Sequence, residues 1–175
     1  MRLALATGFC KAFRMNHAHV KTRLGGVLLA LAVAALDQAS KAVIVSAAAR
    51  GAFPRPILPF FRLVLTWNTG ISFGMLSRWQ SMAHLLMLCV IAVAMLLLAW
   101  LARTQERSTI IALGFVIGGA AGNIVDRLRF GAVADFLDFY VRQYHWPAFN
   151  IADSAIFIGV VILLFAGIVH SKEIS

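Results

Sequence analysis

Four long runs of apolar residues determine what this chain can fold into. They lie near Gly25–Ala48, Ser81–Ala102, Ser108–Val125 and Ile151–Val169. A helix that crosses a bilayer needs roughly 20 predominantly apolar residues, and each run can supply one. Because 61% of the 175 residues are hydrophobic and only 13% are charged, the composition argues against a water-soluble core. The sequence therefore predicts a small all-α membrane protein with four transmembrane helices.

The segment between the first two runs predicts a small β-sheet. Pro54, Pro56 and Pro59 exclude a helix there. Residues 61–67 are rich in β-branched and aromatic side chains, and Asn68–Gly70 is a turn signal. We expect this sheet to lie on the outer membrane surface, between helices 1 and 2.

The positive charge favours a membrane protein and not a nucleic-acid-binding one. The 16 basic residues give a net charge of +9, but they are scattered and form no basic face interleaved with aromatics. Anionic lipid headgroups explain the excess more simply. With a cytoplasmic N-terminus, eight Lys and Arg residues lie inside and seven outside. Five of the eight precede the first helix, which usually sets the orientation, so both termini are expected in the cytoplasm.

The same pattern divides the chain into three parts. Residues 1–24 are expected to be a cytoplasmic extension, residues 25–170 one four-helix domain, and residues 171–175 a cytoplasmic tail.

Two opposite charges interrupt the first apolar run. Asp37 and Lys41 are four residues apart, so they share one face of the helix. A single charge at the bilayer centre costs about 2.5–3.5 kcal/mol, and pairing lowers this cost without removing it. We expect a polar cavity beside this face. The spacing leaves open whether the pair is structural or part of a site.

Helix 3 carries two rows of residues at i, i+4 spacing. The first row is a glycine ladder that ends in an acid: Gly114, Gly118, Gly122 and Asp126. The second row starts with glycine and then becomes polar: Gly119, Asn123 and Arg127. Such ladders let another helix backbone approach closely. The sequence leaves two roles open for Arg127, which can pair with Asp126 or reach lipid phosphates.

Acidic residues concentrate in the stretch from the end of helix 3 to the start of helix 4, residues 126–153. Four of the seven in the chain fall here, namely Asp126, Asp135, Asp138 and Asp153. Asp135 and Asp153 have apolar neighbours, which desolvate a carboxyl group and move its pKa. Asp138, near Arg142, is expected to be a solvated loop residue.

The residue types available favour a carboxylate pair over other catalytic chemistry. The five histidines are dispersed, and no zinc-protease, serine-hydrolase or phosphate-binding motif is present. No metal and no cofactor are therefore predicted. Two aspartates about 3 Å apart share one proton. One can then activate a water while the other polarises the scissile carbonyl.

Five stretches, in this order, resemble the motif series of bacterial lipoprotein signal peptidases (signal peptidase II). They are DQASK (37–41), NTGISFG (68–74), GGAAGNIVDR (118–127), GAVADF (131–136) and FNIADS (149–154). The resemblance implies a four-helix aspartyl endopeptidase of the bacterial inner membrane whose site faces the periplasm. It also implies cleavage of prolipoproteins just before a diacylglyceryl-modified cysteine.

The resemblance assigns the site residues. Its catalytic pair corresponds to Asp135 and Asp153. The positions that line or support the substrate site correspond to Asp37, Lys41, Asn68, Gly119, Asn123, Asp126, Arg127 and Asn150. The implied partners are lipid-modified prolipoproteins and membrane lipids, with no nucleic acid and no required oligomer.

A small proton- or ion-translocating membrane subunit is the alternative. Its relay would use Asp37, Lys41, Asp126 and Asp153. Such a relay predicts polar residues through the full depth of the membrane. Here they gather towards one side, which favours the peptidase.

Overall fold

The computed structural model describes residues 2–69 and 80–174, with side chains for residues 20–69 and 89–168. Its helices are α1 (Arg2–Ala49), α2 (Gln80–Arg103), α3 (Arg107–Phe130) and α4 (Ile151–Ile174). Its strands are β1 (Arg55–Leu58), β2 (Phe61–Asn68), β3 (Val133–Val141) and β4 (Tyr144–His145).

Three stretches of helix are long and apolar enough to cross a membrane. They are Val20–Ala49, Arg107–Phe130 and Ile151–Ile168. In α2, the apolar part with described side chains is Cys89–Arg103. The protein is thus mostly helical, with three candidate spans by length and composition in the described part of the chain.

Helix α1 begins well before the predicted span, and a glycine follows its end by two residues. No proline interrupts the chain before residue 54, and residues 2–24 continue the same helix. Gly51 then adopts a φ of 74°, and its N–H donates to the carbonyl of Ala48 at 2.9 Å. A left-handed residue of this kind commonly ends a helix.

The glycine ladder of α3 packs against α1, as a close-approach surface should. A Cβ atom built on Gly118 would lie 2.5 Å from the carbonyl oxygen of Ala30 and 2.8 Å from the Cβ of Val33. Gly114 similarly faces the carbonyl oxygen of Gly26, at 2.9 Å. The two backbones therefore meet without intervening side chains, which confirms the predicted packing role.

Helix α4 packs against another face of α3 by the same means. A Cβ on Gly119 would collide with the carbonyl oxygen of Ala152, and one on Gly159 would lie 2.6 Å from the carbonyl oxygen of Ala112. Helix α2 joins through buried apolar side chains, namely Ala30, Leu101, Ile110, Leu113 and Ile117. Helix α3 is thus the central element of the bundle.

The sheet contains strands from two of the segments that connect helices, whereas one was predicted. Its order is β1-β2-β3-β4, and every pairing is antiparallel. Strands β1 and β2 lie between α1 and α2 as predicted, but β3 and β4 lie between α3 and α4. The predicted sheet was therefore incomplete. Without β3, the long inner edge of β2 would present unpaired backbone groups.

The prediction for Asp138 was wrong. It lies on β3, is 4% exposed, and accepts a hydrogen bond from Arg62 at 2.6 Å. The Nδ1 atom of His145 lies 3.0 Å from the same carboxylate. Burial alone would raise the pKa of Asp138, but the hydrogen bonds from His145 and Arg62 lower it below the usual value. Pairing of β2 with β3 places Arg62 opposite this carboxylate, a long-range contact that the sequence does not reveal.

Candidate active site

Lys41 lies at the centre of a buried polar cluster. Its ammonium nitrogen is 2.8 Å from a carboxylate oxygen of Asp37, 2.8 Å from one of Asp126, and 3.0 Å from the amide oxygen of Asn123. The side chain is nearly inaccessible, and these three contacts can use all three of its donors. The predicted Asp37–Lys41 pair is confirmed and joins α1 to α3.

The two carboxylates around Lys41 also hold backbone next to the proposed catalytic residues. Asp37 accepts a hydrogen bond from the N–H of Ala152 at 2.9 Å, at the start of α4. Asp126 accepts one from the N–H of Ala134 at 3.1 Å, at the start of β3. Each carboxylate therefore fixes the chain directly before one member of the predicted pair.

Gln38 belongs to this cluster, although sequence reasoning did not select it. Its amide nitrogen donates to Asp126 at 2.8 Å and to the carbonyl of Gly122 at 3.1 Å. It also lies 3.3 Å from Asp37. Its position inside DQASK was the available signal.

Asp153 is accommodated at the start of a membrane helix by a reciprocal cap. Asn150 directly precedes α4, and its side-chain oxygen accepts a hydrogen bond from the N–H of Asp153 at 2.9 Å. In return, the carboxylate of Asp153 accepts one from the N–H of Asn150 at 3.2 Å. This is a capping box, and the positive end of the helix dipole also favours the acid.

Backbone pairing brings β3 to the same place. The N–H of Leu137 donates to the carbonyl of Phe149 at 2.8 Å, and the N–H of Phe149 donates back at 3.1 Å. These bonds set Asn150 beside Asp135, and its amide nitrogen donates to that carboxylate at 2.6 Å.

Three asparagines hydrogen-bond the two aspartates. Asn150 contacts both, and its amide nitrogen also lies 3.2 Å from the amide oxygen of Asn123. Asn123 donates to Asp153 at 2.8 Å. Asn68 donates to the other oxygen of Asp135 at 2.9 Å. Because amides carry no net charge, they orient both carboxyl groups without neutralising them.

Burial raises the pKa of Asp135 above its ordinary value. The nearby charge of Asp153 acts in the same direction, while the hydrogen bonds from Asn68 and Asn150 partly oppose it. The negative form is thus the costly one, and the carboxyl group keeps its proton to higher pH than a solvated aspartate.

Nine of the ten predicted site residues meet in or beside this network. Gly119 contributes by its lack of a side chain, because the carbonyl of Ala152 fills the space. Arg127 stands apart: its guanidinium donates to the carbonyl of Asn123 at 3.3 Å and makes no ion pair among the described residues. Of the two roles left open for it, pairing with Asp126 is wrong, because that carboxylate binds Lys41 instead.

Metal-ligating side chains do not cluster in the described part of the chain. No group of three or more His, Cys, Asp or Glu residues there could hold an ion. The carboxylates of Asp37 and Asp126 are bridged by the Lys41 ammonium.

Comparison with known proteins gives the family. Residues 29–169 match the model of the peptidase A8 family, signal peptidase (SPase) II. This chain belongs to the signal peptidase II family. It is therefore a membrane protease, as the motif series predicted, and membership decides against the ion-translocating alternative.

Individual members of the family are similar in sequence to this chain over most of their length. The chain is 45% identical to the lipoprotein signal peptidase of Rhodopseudomonas palustris (strain TIE-1), over 86% of this chain and 95% of that one. It is 41% identical to the lipoprotein signal peptidase of Aeromonas hydrophila, over 91% and 97%.

Solved structures share the fold. One bacterial membrane enzyme, solved by the in meso method at 2.3 Å, superposes with a TM-score of 0.71 and 26% identity, over 85% of this chain and 90% of that one. A second, at 1.9 Å, gives a TM-score of 0.68 and 28% identity, over 81% and 91%.

Proposed function

We propose that this signal peptidase removes signal peptides from prolipoproteins by cutting before a diacylglyceryl-modified cysteine, with Asp135 and Asp153 as its catalytic pair. One observation carries the assignment of the pair: Asn150 hydrogen-bonds both carboxyl groups, Asp135 through its side chain and Asp153 through its backbone. Two carboxyl groups held this way can act on one water and one peptide bond.

The reaction uses a shared proton. The ionised carboxylate takes a proton from a water molecule, and the water oxygen attacks the scissile carbonyl carbon. The protonated partner donates a hydrogen bond to the carbonyl oxygen, and a proton then passes to the leaving amine as the C–N bond breaks. Burial of Asp135 keeps a proton on the pair at higher pH than two solvated aspartates would allow. The proton belongs to the pair and not to one residue.

Two of the other buried acids, Asp126 and Asp37, support the pair and do not react. Both oxygens of Asp126 are engaged, by Lys41, the N–H of Ala134 and Gln38. Asp37 is likewise bound to Lys41 and the N–H of Ala152. Arg127, half-buried near the pair without a carboxylate partner in the described region, is suited to bind oxygen atoms of the substrate.

The protein has four spans, with α2 as the fourth, and its termini lie in the cytoplasm of a bacterium. The active site and the sheet face the periplasmic side of the inner membrane. The distribution of polar groups supports this placement. The carboxyl pair lies where α3 ends and α4 begins, whereas the α2–α3 turn, where Arg23 donates to the carbonyl of Thr104 at 3.0 Å, lies at the other end of α3.

All residues proposed for the site belong to one copy of the chain, and no oligomer is part of the proposal. Lipids and the substrate reach it laterally through the bilayer. Residues 1–24 remain a cytoplasmic extension, and residues 171–175 a tail, beside the single domain of residues 25–170.

Cleavage of a defined substrate tests this function. The purified protein is given a prolipoprotein peptide that carries a diacylglyceryl cysteine, with EDTA present, and the products are identified by mass spectrometry. A matched peptide with an unmodified cysteine is the control. We expect cleavage directly before the modified cysteine and much slower cleavage of the control. No cleavage by folded protein, or cleavage that EDTA abolishes, would contradict the proposal.

A further inference from the structure

A hollow of about 490 Å³ opens directly beside Asp153. It is lined by Trp146, Phe149, Asp153, Ser154, Phe157 and Ile158. Apart from Asp153 and Ser154, the wall is apolar. One end of the hollow is therefore a catalytic carboxyl group, and the rest is a surface suited to a hydrocarbon.

We propose that this hollow binds an acyl chain of the substrate's diacylglyceryl group and that Trp146 determines which chain lengths are preferred. The inference rests on the proposed function. If the cut falls directly before the lipidated cysteine, the thioether-linked glyceryl group lies beside the catalytic pair. Its acyl chains must then leave the site over apolar surface, and this hollow begins at that point.

The helix geometry leads the chain into the membrane. Asp153, Ser154, Phe157 and Ile158 lie at i, i+1, i+4 and i+5, so they share one face of α4. Phe157 is four residues beyond Asp153, about 6 Å further along the helix axis. Phe157 is 71% exposed and Ile158 44% exposed. A chain can therefore enter this face from the surrounding lipid.

Trp146 lines the hollow together with Phe157 of α4. Its backbone N–H donates to the carbonyl of Phe139 at 2.8 Å, while its side chain is 69% exposed. The same side chain also lines a second apolar hollow, of about 530 Å³, on the sheet. The indole therefore lines both hollows, and a long acyl chain can contact more of this apolar wall than a short one.

The polar groups of the hollow favour a lipid over a peptide segment. The hydroxyl of Ser154 already donates to the carbonyl of Asn150 at 3.0 Å. The carboxylate of Asp153 is bound by Asn123 and Asn150. A peptide backbone needs hydrogen-bond partners away from water, whereas an acyl chain needs none. The remaining wall offers the chain only van der Waals contact, which is how apolar groups are selected inside a membrane.

Two substrates that differ only in the acyl chains test the inference. Both carry the same peptide, one with two palmitoyl chains and the other with two octanoyl chains, and KM and kcat are measured in one detergent. We expect the wild type to have the lower KM for the palmitoyl substrate. Trp146→Ala should raise that KM by roughly fivefold, because the acyl chain loses its van der Waals contacts with the indole, and leave kcat little changed. The octanoyl substrate should be affected less.

Two further variants complete the test. Trp100→Ala removes another half-exposed indole, on α2 far along the chain from the hollow, and should change neither KM. Ile158→Trp should fill the hollow and shift the preference towards the octanoyl substrate.

The outcomes separate the two proposals. Equal KM values for both substrates in a cleaving wild type, or an equal change for both in Trp146→Ala, overturn the acyl-chain site and leave the proposed function intact. A preference that follows exchanged signal-peptide residues, with the lipid constant, assigns the hollow to the peptide and also overturns it. If the wild type cleaves neither substrate, both proposals fail.

Discussion

At the scale of single residues, Asn150 does more than any other side chain to organise the site. It caps α4, binds Asp135, and receives the reciprocal cap from Asp153. From the sequence, only the resemblance to a family marked it as a site residue. The spacing in NIAD is that of a capping box, with Asp at the position usually taken by Glu, so its local role was readable from the sequence. Its contact with Asp135 was not, because that contact depends on how β3 pairs.

Asn68 should tune the pH dependence of catalysis. Its hydrogen bond favours the ionised form of Asp135 and so lowers a pKa that burial raises. In Asn68→Ala, the charged form loses this support, and the pKa rises further. The pair then holds its proton to higher pH, so the alkaline limb of the kcat profile should shift to higher pH. Ser46→Ala, which removes only a contact with Arg50, serves as the control. An alkaline limb that shifts to lower pH, or does not shift, would rule out this role for Asn68.

At the scale of secondary-structure elements, α3 owes its central position to glycine on two faces. The ladder was predicted from spacing, and so was its function in packing. The identity of its partners was not, because a small-residue surface accepts any helix of suitable shape. The structure assigns Gly118 to α1 and Gly119 to α4. Neighbouring residues on one helix thus hold the two helices that carry Lys41 and Asp153.

Gly118→Ala should destabilise the bundle. The added Cβ would lie 2.5 Å from the carbonyl oxygen of Ala30, a backbone atom that cannot move alone. Overpacking of this kind costs about 1–3 kcal/mol. Gly167→Ala on α4 is a matched control, because nothing lies within 4 Å of its Cβ position. Thermal unfolding in detergent should show a lower midpoint for Gly118→Ala only, and equal midpoints would refute the close-packing account.

Only part of the sheet could be predicted from the sequence. Strand β2 was expected from its β-branched and aromatic residues. Strand β3 was not, because its acids Asp135 and Asp138 obscure the alternation of apolar and polar positions. Three residues apart, they face opposite sides of the strand. Asp138 pairs with Arg62, while Asp135 turns to the asparagines.

At the scale of the whole molecule, helices α1, α3 and α4 and strands β2 and β3 converge on one polar network. Composition and hydropathy were enough to predict a helical membrane protein. The count of Lys and Arg residues, eight inside against seven outside, gave an expected orientation in the membrane and nothing more. The network itself depends on contacts such as Lys41 with Asn123, which are 82 positions apart. No local pattern encodes such contacts, so only the family resemblance could name these residues together.

The most direct test of the catalytic pair compares four isosteric variants on one lipid-modified substrate. They are Asp135→Asn, Asp153→Asn, Asp126→Asn and Asp138→Asn, each first checked for folding by its thermal unfolding. Asp138→Asn is the matched control, because it makes the same change on the same strand but on the other face.

The account predicts a clear division in kcat. Asp135→Asn and Asp153→Asn should each lose at least about 100-fold, the scale of general acid–base catalysis, while Asp138→Asn stays near the wild type. Asp126→Asn should act mainly through stability, because its carboxylate binds Lys41 and backbone. Full activity in Asp135→Asn, with activity lost in folded Asp126→Asn, would contradict the account and place Asp126 in the pair.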